Sequence, residues 1–183
     1  MKEKHVKALA ISACAGLIAL ACSAPASAAE VFGGVYAHNV KTPLSLDGNT
    51  EDGADFQLGL RGGAFAKVIG LSIQPYVFGA LNTAGDTSYV AAGLSAKIGG
   101  PVYVRPGLGL AIHTGSDANF ENPFNDKLEL GSRVLFEPEL GVGVQVAPRI
   151  SAEASWVHMS HGTLFGKQNP GIDNIGVRLN VGF

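Results

Sequence analysis

From residue 54 to the C-terminus, apolar side chains return at every second position in segment after segment, and the spacing never changes to that of a helix. In Ala54–Arg61, the residues Ala54, Phe56, Leu58 and Leu60 alternate with Asp55, Gln57, Gly59 and Arg61. Successive side chains of a strand point to opposite faces, so such a segment has one apolar face and one polar face. Leu71–Leu81 repeats the pattern, with Leu71, Ile73, Pro75 and Val77 opposite Ser72, Gln74 and Tyr76. Ser88–Ile98, Val102–His113, Leu130–Val146, Ile150–Ser160 and Asp173–Phe183 follow it, and Val31–Val40 opens the set with less distinct faces. Eight strands of about 8–12 residues suit a tilted crossing of a bilayer. Eight antiparallel strands also close into a barrel narrow enough for side chains to fill.

Composition points the same way. Mean hydropathy is +0.23, and the chain holds 25 glycines. Beyond the N-terminus no apolar run reaches the ~18 residues that mark a spanning helix. Strong apolar character without a spanning helix is the signature of a transmembrane barrel, apolar outside and polar inside. The expected fold is therefore all-β, an eight-stranded antiparallel transmembrane barrel of the outer membrane. Prolines within the strands, Pro75, Pro106 and Pro138, count against the scheme because each removes a ladder donor. A soluble periplasmic barrel or sandwich is the alternative architecture.

The N-terminus reads as an export signal. Three lysines precede the apolar run Ala8–Cys22, and Ala26-Ser27-Ala28 supplies the small residues of a cleavage site. Residues 1–28 are expected to be a cleaved signal peptide and 29–183 a single barrel domain. Both cysteines, Cys14 and Cys22, fall inside the signal, which leaves the mature chain without a disulfide or a cysteine metal site. Its charge falls from −2 to about −4, with 10 basic and 14 acidic residues. An exported, mildly acidic chain is a poor binder of nucleic acid.

Chemistry concentrates in the last two strands. Along Ile150–Ser160 the even positions are Ile150, Ala152, Ala154, Trp156, His158 and Ser160. Along Asp173–Phe183 the odd positions are Asp173, Ile175, Val177, Leu179, Val181 and Phe183. A histidine, a serine and an aspartate thus share faces that are otherwise apolar. With both termini on the periplasmic side, Asn39–Gly53, Thr114–Lys127 and Gly162–Gly171 become external loops, and Gly62–Gly70 a long periplasmic turn. His158 and Asp173 then lie at one level near the outer edge of the apolar band. The three residues are expected to project outward and meet on the lipid-facing wall. A nucleophile, a base and an orienting acid are the parts of a serine hydrolase. Trp156 reads as an interfacial aromatic belt residue.

Other polar residues have structural readings. Arg105, Arg133, Glu137, Glu139, Glu153 and Arg178 fall on inner faces and are expected to form an ion-pair network filling the barrel. His38 and His113 end their strands at the external side, where hydrogen bonding at loop bases is a better reading than metal ligation. No metal motif and no phosphate loop occurs, and no cofactor is expected.

His158-Met159-Ser160, followed by Asn169-Pro170-Gly171-Ile172-Asp173, resembles the C-terminal signature of the PagL-type lipid A 3-O-deacylases, also called acyloxyacyl hydrolases. The resemblance is sharpest over 136–183. It implies an eight-stranded outer-membrane barrel that hydrolyses the ester-linked acyl chain at the 3-position of lipid A. It further implies Ser160 as nucleophile, His158 as general base and Asp173 as the acid that orients it. The family pattern has Glu where this chain has Asp173, and Asn, linked to the oxyanion site, where it has His161. His161 and backbone N–H groups near Gly162 are the candidate oxyanion donors. Lipid A or lipopolysaccharide is the expected substrate and outer-membrane lipid the surroundings; a homodimer is left open. Two further readings stand beside it: a non-catalytic structural barrel with a degenerate site, and a phospholipase acting on glycerophospholipid.

Overall fold

The computed structural model describes residues 29–45, 50–69, 71–118, 128–164 and 169–183. The expected signal peptide, 1–28, lies outside the described residues. Ten strands follow in order: β1 (Glu30–Ala37), β2 (Ala54–Arg61), β3 (Ala66–Val68), β4 (Leu71–Asn82), β5 (Tyr89–Ala96), β6 (Ile98–Gly99), β7 (Val102–His113), β8 (Val134–Ala147), β9 (Ile150–Met159) and β10 (Ile172–Gly182). Eight of them make the barrel. Each pairs antiparallel with its neighbour, β10 returns to β1, and the β2–β4 pairing completes the ring. Closure pairs each of the eight barrel strands on both sides, which is what a strand-built membrane protein requires.

The two short strands have local causes. β3 occupies the long turn after β2 and pairs back on Leu71–Ile73, so that turn is a small hairpin extension. β6 continues β5 along β7 in the same register, after a break opposite Arg105 and Pro106. Pro106 has no N–H to give, and the ladder is interrupted beside it. Pro75 lies at the end of the β2–β4 ladder, where its carbonyl accepts from Gly62 N at 2.8 Å.

The outward faces are apolar and bare, as with Leu58, Leu108, Ile112 and Val177, which suits contact with acyl chains. The inside is filled. Phe32 and Phe78 meet edge to face at 6.1 Å, and Phe78 meets Tyr89 at 5.8 Å. Toward the termini lies a closed ring of charges. Glu30 pairs with Arg61 (3.0 Å), Arg61 with Glu139 (3.5 Å), and Glu139 with Arg178 (2.8 Å). Arg178 pairs in turn with Glu153 (2.5 Å), Glu153 with Arg105 (3.5 Å), and Arg105 with Glu30 (2.6 Å).

Two inner-face expectations change. Arg133 is not in this network: it precedes β8, is half exposed, pairs with Asp117 at 2.9 Å and donates to the carbonyls of His113 and Gly115. The strand starts at Val134, so alternation does not govern Arg133. Glu137 is buried inside but takes a hydrogen bond from Tyr76 rather than joining the ring.

Candidate active site

β9 and β10 are neighbours, and His158 stands directly opposite Asp173 in their register. Asp173 shares parity with Ile175, Val177, Leu179 and Val181, all exposed on the outer wall, and His158 shares parity with Trp156 and Ser160. Adjacent strands lie within ~5 Å, so even the short carboxylate reaches. His158 Nδ1 is 2.9 Å from Asp173 Oδ1. A carboxylate accepts only, so Nδ1 carries the proton and Nε2 of the neutral ring is the nitrogen left to take one.

The site is less open than a bare outer wall. Asp173 is 0% exposed and His158 7%, against 65% for Val177 on the same face of β10. The cover is the segment after β1. Val40 N donates to the Asp173 carbonyl at 2.7 Å, and Asn39 N to Asn174 Oδ1 at 2.9 Å. Thr42 Oγ1 donates to Asp173 Oδ2. This external strap folds over the loop end of β10. Its contribution is invisible in the sequence, because 131 positions separate Thr42 from Asp173.

Trp156 is tied into the pair. Its Nε1 donates to Asp173 Oδ1 at 2.7 Å, and its ring stacks on His158 at 5.9 Å between centroids and 29° between planes. Gly171 closes the other side. Its φ is +68°, and a Cβ there would sit 3.0 Å from His158 Cε1 and 3.2 Å from the Leu44 carbonyl. The backbone angle and the space both demand glycine.

Ser160 lies one position past the end of β9, on the His158 face. It is held by a two-way backbone bridge to Phe136: Phe136 N to Ser160 O at 2.8 Å, and Ser160 N to Phe136 O at 3.1 Å. Two residues back along β8, Pro138 faces His158 across the same register, and the β8–β9 ladder is interrupted there. In an antiparallel pair the mutually bonded positions recur every second residue. Pro138 therefore withholds the one N–H that would have bonded the His158 carbonyl.

The candidate oxyanion residues diverge. His161 is 0% exposed and lies past the end of β9; its backbone N–H donates to Asn169 Oδ1 at 2.9 Å. Gly162 is exposed with φ +59° and turns the chain just beyond Ser160. Asn169 and Gly171 of the motif thus have physical tasks: one anchors the strand end at His161, the other leaves room for the imidazole. Among the described residues no group of His, Cys, Asp and Glu is arranged to hold a metal ion.

A comparison with curated proteins finds no match. The fold is similar to that of the solved outer membrane enzyme PagL, at 19% identity and a TM-score of 0.58, over 83% of this chain and 98% of that one. A de novo designed transmembrane β-barrel is also similar, at 9% identity and a TM-score of 0.51, over 87% of this chain and 98% of that one. At such identities these structures speak for the barrel alone. A family model described as Lipid A 3-O-deacylase (PagL) matches residues 34–181, from the middle of β1 almost to the end of β10, which includes the His158–Asp173 pair. The chain belongs to the lipid A 3-O-deacylase (PagL) family.

Proposed function

We propose that this protein is an outer-membrane ester hydrolase that removes the ester-linked 3-position acyl chain of lipid A, using Ser160, His158 and Asp173. The observation that carries this reading is the 2.9 Å bond between His158 Nδ1 and Asp173 Oδ1 on the outer wall, two residues from Ser160. His158 Nε2 takes the Ser160 proton as Oγ attacks the ester carbonyl carbon. The tetrahedral intermediate collapses, the sugar 3-oxygen leaves with the proton from His158, and the acyl group stays on Ser160. Water, deprotonated by His158, then releases the fatty acid and restores the serine. The backbone N–H of Gly162 is the oxyanion donor in this scheme.

The position supports a membrane ester. Loops and water lie above the site, and an apolar wall lies below. On that wall Ala154 sits between Val142 and Val177 in register, and Ala152 between Val144 and Leu179. The two alanines make a shallow trough down β9, and a groove lined by Gly33, Val35, Ala152, Val177 and Leu179 adjoins it. An acyl chain lying there keeps its carbonyl near Ser160.

Mass spectrometry of lipid A from cells with and without the protein tests the assignment. Loss of one ester-linked acyl chain, absent with Ser160→Ala, is the expected result. Unchanged lipid A with glycerophospholipid converted to its lysophospholipid and free fatty acid would establish the phospholipase reading instead. No change in either lipid would leave a structural barrel.

A further inference from the structure

We propose that Thr42 and Trp156 are positioning residues for Asp173, which hold its carboxylate in the one orientation that keeps His158 ready to act as base. This deepens the hydrolase reading and rests on it. An aspartate carboxylate turns about a broad, two-fold terminal torsion, and a single bond to His158 does not stop it. Here both oxygens are engaged. Oδ1 accepts from His158 Nδ1 at 2.9 Å and from Trp156 Nε1 at 2.7 Å, and Oδ2 accepts from Thr42 Oγ1. Three donors, two from β9 and one from the strap after β1, define the carboxylate plane.

The Thr42 hydroxyl has little choice of direction. Its oxygen accepts from Leu44 N at 3.0 Å and from Ser45 N at 3.3 Å. With its lone pairs so used, its proton points to Asp173. The strap that carries it is tied down by other bonds, Val40 N to the Asp173 carbonyl and Asn39 N to Asn174 Oδ1. Docking of the strap therefore does not rest on the hydroxyl alone; Thr42→Val keeps the side-chain shape but removes both the donor to Asp173 and the acceptor of the Leu44 and Ser45 N–H groups, and the Asp173→Asn background separates the two effects. Trp156 adds a second constraint, because its indole stacks on the imidazole while its N–H holds the acid. The arrangement also accounts for an aspartate where the family pattern has the longer glutamate. A short carboxylate directly opposite the histidine, fixed by two further donors, supplies the geometry that a longer arm would otherwise reach for.

The test is steady-state hydrolysis of purified lipid A by the full barrel in detergent micelles, with folding checked by the heat-modifiable gel shift. Thr42→Val and Trp156→Phe are each expected to lower kcat roughly 10-fold or more, as loss of a hydrogen bond to a charged acceptor does. KM should stay near wild type, and Thr42→Ser should restore the rate. On an Asp173→Asn background neither change should lower kcat further, because residues acting through one partner are not additive. Wild-type kcat in both Thr42→Val and Trp156→Phe overturns the proposal, as does an undiminished effect of either on the Asp173→Asn background. Should Thr42→Val fail to fold, Trp156→Phe and its double mutant decide alone. Full activity of Ser160→Ala would sink the hydrolase reading itself. An inactive Ser160→Ala with unaffected Thr42 and Trp156 variants would sink only this one.

Discussion

At the residue scale, the imidazole of His158 is held from three sides: by the Asp173 carboxylate at Nδ1, by the Trp156 ring on its face and by Gly171 near Cε1. On the proposed mechanism Nε2 takes the Ser160 proton. Ser160→Ala and His158→Ala should each abolish ester release while the gel shift of the folded barrel persists. Asp173→Asn should lower kcat on the order of 10⁴-fold, since an amide no longer fixes the tautomer of the base. Activity of Ser160→Ala at wild-type rate would remove the serine from the mechanism. His161 separates two tasks that adjacent positions could share. With its side chain buried and its N–H given to Asn169, His161→Ala should keep kcat within a few-fold, about 3-fold, and lower the melting temperature. A loss of ~10²–10³ in rate, the usual cost of an oxyanion donor, would place the imidazole in catalysis after all.

At the element scale, the external end of the barrel is organised by polar clamps between strand ends and loops. His38, just past β1, contacts the Asp55 carboxylate at 2.9 Å and Glu51 Oε2 at 2.9 Å. Burial pulls the pKa of His38 down, but the two carboxylates override this and carry it from 6.5 up to about 9. A group whose folded pKa is raised stabilises the fold fully below its unfolded value and loses that contribution as pH rises through the folded one. The clamp should therefore be at full strength below about pH 6.5 and fade as pH passes 9. The melting temperature of the wild-type protein should fall between pH 7 and pH 10 by more than that of His38→Gln. Parallel curves for the two proteins would mean that the imidazolium contributes nothing. Pro138 works at the same scale, since it withholds one ladder bond between β8 and β9 opposite His158.

At the scale of the whole molecule, the barrel stands on its charge ring. Three arginines and three glutamates from β1, β2, β7, β8, β9 and β10 alternate around it, so every charge has two opposite neighbours. Phe32 is flanked by Arg61 at 4.7 Å and Arg178 at 5.0 Å, which ties the ring to the aromatic layer above it. Removing Arg178 leaves three carboxylates to two guanidiniums, with Glu139 and Glu153 reduced to one partner each at 3.5 Å. Arg178→Ala should destabilise the barrel by ~3–5 kcal/mol, read as a lower urea midpoint of unfolding in detergent. The double change Arg178→Met with Glu139→Gln should recover much of that loss. A midpoint unchanged by Arg178→Ala would show that the ring carries no net stability.

The amino-acid sequence by itself determined the strands, their faces and the pairing of the last two. Alternation is a local property, and placing His158 and Asp173 on outward faces at one level needed only a count of residues along Ile150–Ser160 and Asp173–Phe183. Its errors fell where local periodicity loses meaning. Arg133 stands one residue before β8, and the turn after β2 folds into β3. Glu30 was outside the expected network because β1 has indistinct faces, and only closure of β1 against β10 brings it to Arg61 and Arg105. Tertiary structure alone decided that Asp173 is covered rather than lipid-exposed. Thr42 reaches it from a loop with no periodicity to read, through one hydroxyl whose direction is set by two backbone N–H groups. A strand face can be read from neighbours two residues apart, whereas a hydrogen bond across 131 positions exists only once the barrel has closed.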